Sequence, residues 1–195
     1  MNPFDHQTKQ MGIRSEIHAL WIFLWESLYN FFRWTPWGPK TYKFDGSLDG
    51  KTVVITGGNS GIGRETARYL ALKGARVILA CRDLSKASTV VDQLQKECVS
   101  GKIEAKHLNL ASLCSVRQFV KDLQNEPQID ILINNAGVMM HPYDKTMDGV
   151  ETHFAVNHLG HFLLTIHLVD KLKKSPEARV INVTSTSFVR KSFLI

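Results

Sequence analysis

Between residues 52 and 183, short apolar runs alternate with longer stretches in which apolar positions recur roughly every three to four residues. The runs are Thr52-Val53-Val54-Ile55 and residues 76–80, 102–108, 129–133 and 179–183. The helical stretches cover residues 64–73, 84–98, 112–125 and 150–174, and Gly74 supplies a C-terminal stop for the first of them. Strand and helix in strict alternation are the signature of a parallel α/β sheet. With right-handed crossovers, the predicted fold is a Rossmann-like, doubly wound sheet with strand order 3-2-1-4-5.

Residues 1–47 break this pattern and form a separate N-terminal segment, leaving residues 48–195 as the α/β domain. Ile17, Leu20, Trp21, Leu24, Trp25, Leu28, Phe31 and Phe32 share one broad face of a helix. Glu16, Glu26, Ser27, Asn30 and Arg33 gather on the other, with Phe23 among them. A membrane span needs roughly 20 mostly apolar residues, and Glu26 and Asn30 fall in the middle of this stretch. The pattern therefore predicts an amphipathic helix at 13–34 that lies on a membrane surface. A helix packed on its own domain or a partner chain, and a true span, are the alternatives. Pro36, Gly38 and Pro39 end the helix and make a linker.

Composition narrows the chemistry. The 195-residue chain carries a net charge of +6 with its Lys and Arg scattered, which gives no nucleic-acid face. Cys81, Cys98 and Cys114 are odd in number and show no C-x-x-C spacing, as in a reducing compartment. His153, His158 and His161 cluster, but no Cys or carboxylate joins them at ligand spacing, so no metal is expected.

The first strand runs into Thr56-Gly57-Gly58-Asn59-Ser60-Gly61-Ile62-Gly63, and a helix opens there. Spaced glycines allow a tight turn and a close approach of backbone to a pyrophosphate, which the helix N-terminus then attracts. The candidate cofactor contacts are Gly57, Asn59, Ser60, Gly61, Ile62 and Gly63. An acidic residue about 20 positions further on would favour NAD. Here the second strand ends Ala80-Cys81-Arg82-Asp83, and Arg64 directly follows the third glycine. Two guanidinium groups favour the 2′-phosphate of NADP over NAD, with Asp83 on the ribose as the alternative.

Together with Asn134-Asn135-Ala136-Gly137 and Asn157-His158-Leu159-Gly160-His161-Phe162, this loop resembles the short-chain dehydrogenase/reductase family. The strings Asn135-Ala-Gly-Val-Met-Met140 and Ala80-Cys-Arg-Asp83 are similar to its retinol dehydrogenase branch. The resemblance covers residues 48–195. It implies that Asn135, Ala136 and Gly137 line the cofactor cleft, that Asn157 holds a proton-relay water, and that Ser185 hydrogen-bonds the substrate carbonyl. It further implies a lipophilic alcohol or aldehyde substrate such as a retinoid, and an endoplasmic-reticulum membrane. Cytoplasmic or mitochondrial placement is the alternative, and a dimer with itself or a full-length relative is expected.

Two departures qualify the resemblance. The family's Asp after the third strand is Asn109 here, whose amide oxygen can still accept from adenine. More seriously, the family's Tyr-x-x-x-Lys general acid should follow Ser185, and none does. Tyr69 and Lys73 have that spacing but sit on the helix after the glycine loop. The expectation is a C-terminally incomplete sheet that leaves Val180, Ile181 and Val183 exposed unless residues 192–195 cover them. Such a chain is a fragment or short isoform inactive alone, or else a non-enzymatic nucleotide-binding or interaction protein.

Overall fold

The structure, a computed structural model, describes residues 24, 45–98 and 100–185 of the chain. The predicted surface helix at 13–34 (residue 24 aside), the linker that follows it and the tail at 192–195 lie outside the described residues. The α/β fold occupies the unit Gly46–Ile195.

Its elements are β1 (Thr52–Thr56), α1 (Gly61–Leu72), β2 (Arg76–Cys81), α2 (Leu84–Glu97), β3 (Lys102–His107), α3 (Leu113–Asp122) and β4 (Ile131–Asn134). Then come α4 (Thr152–Phe154), a π-helical turn (Ala155–Leu159), α5 (Gly160–Leu172) and β5 (Arg179–Asn182). All five strands are parallel, in the order β3-β2-β1-β4-β5 predicted from the alternation.

Side chains along a strand alternate between faces, so a run apolar at every position is covered on both. Val53 and Ile55 of β1, with Val77 and Leu79 of β2, pack under Ala67 and Ala71 of α1 and Val90 and Leu94 of α2. Val54, Ile78 and Leu132 pack on the opposite face under Val116 and Phe119 of α3 and Leu164 and Leu168 of α5. Each fully buried aliphatic or aromatic side chain contributes roughly 1.5–3 kcal/mol. At the sheet edge Val180, Ile181 and Val183 are 42%, 43% and 43% exposed.

Three boundaries differ from the apolar pattern, each for a hydrogen-bonding reason. β4 begins at Ile131 because the N–H of Ile129 turns to Lys171 O. α3 ends at Asp122, where the Leu123 N–H is shared between the Phe119 and Val120 carbonyls. The helix expected at 150–174 is instead two helices joined by a π-helical turn, a device often found at functional sites.

Asp130 secures the amino edge. Its carboxylate accepts the Thr52 N–H at 2.8 Å and the Ser175 hydroxyl at 2.7 Å, joining β1, β4 and the end of α5. Burial pushes its pKa up, but these hydrogen bonds and the Lys51 charge outweigh burial and hold it below the usual 3.8. Its contribution is therefore complete above pH 3.8 and is lost as the pH falls below that value. Asp130→Ala, which leaves buried donors unpaired, should lower stability by about 2 kcal/mol in urea denaturation at pH 7, and the difference should narrow in acid.

Candidate cofactor cleft

β1 and β4 are neighbours, yet the chain leaves β1 for α1 on one face and leaves β4 for α5 on the other. The crevice between them is the topological switch point where open α/β sheets bind ligands. It holds two recesses. One, of about 250 Å³, is lined by Gly57, Asn59, Arg82, Asp83, Lys86 and Asn109. The other, open and about 960 Å³, is lined by Ile62, Asn135, Met139, Asn157, His161 and Ser185 among others. Ala136, Gly137 and Val138 line both, so residues 136–138 form a shared wall.

The glycine loop is shaped by close contact. Gly57 has φ +68°, and a Cβ there would lie 3.0 Å from the Ala136 Cα and Cβ. A Cβ on Gly63 would come within 2.5 Å of the Gly57 carbonyl oxygen and the Asn135 amide nitrogen. The loop can therefore fold against the shared wall only without side chains. Ser60 is the N-cap residue of α1, but its hydroxyl makes no capping hydrogen bond. The first N–H groups of α1 have no intrahelical acceptor, as at any helix start. Ile62 is 71% exposed at the rim of the larger recess.

Beyond β4 the wall is held from two sides. The Thr56 hydroxyl accepts the N–H groups of Asn135 and Ala136, each at 2.9 Å. The Asn135 amide donates to Thr56 O at 2.9 Å, tying the wall to the glycine loop. From the other side Asn157, in the middle of the π-helical turn, accepts the Val138 N–H at 2.8 Å and donates to Val138 O at 2.9 Å. Each end of this amide thus makes one hydrogen bond to a single residue of the wall. Asn157 and Ser185 line the same recess.

At the other end of the cleft, the expected cations are rearranged. Arg82 lines the smaller recess, but Arg64 does not. The Arg64 guanidinium lies 3.4 Å from the Gln93 side-chain oxygen of α2 and 3.6 Å from Glu65, because α1 carries it across toward α2. Lys86 takes the second place beside Arg82. Asp83 caps α2 through Oδ1, which accepts the Lys86 N–H at 3.0 Å, and its Oδ2 lies 3.8 Å from the Lys86 ammonium. Asn109 reaches the recess, but its amide oxygen already accepts the Ala111 N–H at 3.0 Å, leaving one lone pair for a ligand.

Asn134 closes the floor of the larger recess. Its amide donates to Asn182 Oδ1 at 2.8 Å and Thr165 Oγ1 at 3.1 Å, while its own buried oxygen has no partner among the described residues. Glu151 starts α4 by accepting the N–H groups of His153 and Phe154 and the His153 ring. Those backbone bonds, then the ring bond, hold its carboxyl at about 2. The cap is at full strength above 4.5 and is lost as the pH falls from there toward about 2. His153, His158 and His161 all border the larger recess, yet no three potential ligands converge on a metal site among the described residues.

Residues 51–193 match the family model described as short chain dehydrogenase. The chain belongs to that family. It is 52% identical over 144 residues to retinol dehydrogenase 12 of Bos taurus, a stretch covering 73% of this chain and 46% of that protein. The chain thus spans about half the length of the curated relatives it matches. Among solved structures it resembles the Pseudomonas aeruginosa RhlG/NADP active-site complex, with TM-score 0.61, 31% identity, and coverage of 72% of this chain and 57% of that one. It also resembles a metagenomic short-chain oxidoreductase in complex with NADP, with TM-score 0.62, 29% identity, and coverage of 72% and 63%.

Within this short-chain dehydrogenase, sequence reasoning overlooked Thr56, Lys86 and His161 as site residues. Lys86 lies in the first turn of α2 and Arg82 directly precedes its N-cap Asp83, so both stand at the start of that helix. His161 is four residues after Asn157, one turn on. Gly63→Ala should destabilise the domain by about 1–3 kcal/mol in denaturant titration, because the new methyl group would meet the Gly57 backbone carbonyl as well as the Asn135 side-chain amide.

Proposed function

We propose that the two recesses form an NADP site, in a short-chain oxidoreductase whose substrate is a lipophilic alcohol or aldehyde such as a retinoid. The observation that carries the cofactor choice is at the mouth of the smaller recess. Arg82 and Lys86 line it, while the Asp83 carboxylate is occupied in capping α2. A 2′-phosphate would meet two cations there, whereas the carboxylate a ribose would use is already shared between the start of α2 and the Lys86 ammonium. At Gly61 a Cβ would meet nothing within 4 Å, so the outer face of the loop stays open to a dinucleotide laid across it. When bound, the nicotinamide supplies hydride transfer.

The chain's own residues then have separable tasks. Gly57, Asn59, Ser60 and Gly61 present the loop and the start of α1 to the pyrophosphate. Asn135, Ala136 and Gly137 form the wall along which the dinucleotide lies. Arg82 and Lys86 select the phosphate, and Asn109 faces adenine. Ser185 orients a substrate oxygen, and Asn157 holds the wall in place. Ile62, Met139, Phe162, Val180 and Val183 give the larger recess an apolar lining, which suits a lipophilic substrate. The name of the bovine relative supports a retinoid. Membrane association would come through residues 13–34, on an endoplasmic-reticulum surface. No described helix is long and apolar enough to cross a membrane.

A second reading is favoured by the tyrosines. Tyr69 lies on α1 with Lys73 Nζ 5.9 Å from its ring centroid, and Tyr143 is 78% exposed; neither lines either recess of the cleft. With no phenol beside Ser185 and Asn157 among the described residues, the 195-residue chain by itself is a cofactor binder without turnover. Calorimetry should show saturable NADPH binding that Gly61→Asp abolishes, and retinal reduction should be negligible. Absence of any NADPH binding would overturn the site; robust turnover would overturn the second reading. Arg82→Gln and Lys86→Gln should each weaken NADPH about tenfold relative to NADH, whereas Arg64→Gln should change that ratio less than about threefold.

A further inference from the structure

The Thr56 hydroxyl is 2.8 Å from His161 Nε2, and both side chains are buried. A hydroxyl has two acceptor lone pairs and one proton. Here both lone pairs are taken by the N–H groups of Asn135 and Ala136. The proton therefore has to be donated. The Ile133 carbonyl lies 3.5 Å away, at the limit of a hydrogen bond, while the His161 nitrogen is at the ordinary distance. This fixes the imidazole: Nε2 accepts and is bare, and Nδ1 carries the proton, facing the Asn157 carbonyl oxygen at 3.4 Å.

We infer that His161 is a positioning residue for the cofactor, acting as a neutral, single-tautomer acceptor that locks Thr56 against the 135–136 backbone. The inference rests on the cofactor reading above. The bonds close a ring: Thr56 holds Asn135 and Ala136, Asn157 holds Val138, and His161 joins Thr56 to the Asn157 main chain. The shared wall of both recesses is thus clamped on each side, with the imidazole between the clamps. A protonated His161 would aim a second N–H at a hydroxyl whose lone pairs are full, and the Thr56 proton would have no good acceptor.

The surroundings keep the ring neutral. Burial lowers its affinity for a proton and outweighs the Asn157 carbonyl, which raises it, while His158, three positions earlier, lowers it further. β1 and the segment after β4 present Thr56, Asn134 and Asn135 to this region, none of them ionisable. Because the folded pKa is depressed, the lock is intact above the unfolded value of 6.5. Its stabilisation is lost progressively as the pH falls from there toward the folded value.

The test uses the full chain. Nitrogen-15 NMR of the imidazoles at pH 7 should show His161 with a bare Nε2 and a protonated Nδ1, a state that persists below the ordinary imidazole value of 6.5. The opposite tautomer, or an imidazolium at pH 7, would overturn the proposal without any substitution and whether or not NADP binds. By calorimetry, His161→Phe should weaken NADP about tenfold. His161→Gln, whose side-chain oxygen can take the Nε2 place, should stay within about threefold of wild type. Equal losses in both variants, or none in either, would overturn it. If the wild-type chain bound no NADP at pH 8, the cofactor reading would fail, and the NMR result would still decide the tautomer.

Discussion

The structure depends on what happens where β1 and β4 stop pairing. Their ladder ends at Ile55 and Ile133, and beyond it the chain departs to opposite faces of the sheet. Such a parting opens a crevice and leaves backbone N–H groups without strand partners. In a buried setting each unpaired group costs about 1–3 kcal/mol. Thr56 answers that constraint, because its hydroxyl accepts two successive N–H groups in the gap. Valine has nearly the same shape but offers no lone pair, so the hydroxyl rather than the branched side chain matters here.

Everything the cleft can do follows from the wall that this arrangement holds. Residues 136–138 face the glycine loop on one side and the π-helical turn on the other, and they border both recesses. The glycine loop can pack this closely because Gly57 and Gly63 carry no side chain. The π-helical turn inserts its extra residue where Asn157 sits, and both ends of that amide go to Val138. The amino edge of the sheet is organised differently, around the buried carboxylate of Asp130, and takes no part in the site. One edge is built for rigidity and the other for a ligand.

Electrostatics at the cofactor's ribose end turn on which groups are already occupied. Asp83 is acidic and close by, as an NAD-selective site would require, yet one of its oxygens caps α2 and the other faces the Lys86 ammonium. Arg64 carries the right charge, yet α1 directs it to Gln93 and Glu65. Lys86 is left to stand with Arg82. Counting charges near a motif names Arg64, where the recess instead holds Lys86.

The fold was legible in the chain because its evidence is local. Apolar runs, helical periodicity, Gly74 and the glycine loop each act within a few residues, and strand order follows from crossover handedness. The family was legible for the same reason, since its motifs are contiguous strings. The failures came wherever a partner distant in sequence decided the outcome. β4 starts late because α5 takes the Ile129 N–H, and the long helix is interrupted by a π-helical turn that periodicity cannot register. The chain by itself determined the sheet, the loop and the family. Only the tertiary structure decided that Arg64 leaves the cleft, that Lys86 enters it, and that Thr56 and His161 meet across 105 positions of sequence, because hydrogen bonds between such residues exist only once the strands have been brought together.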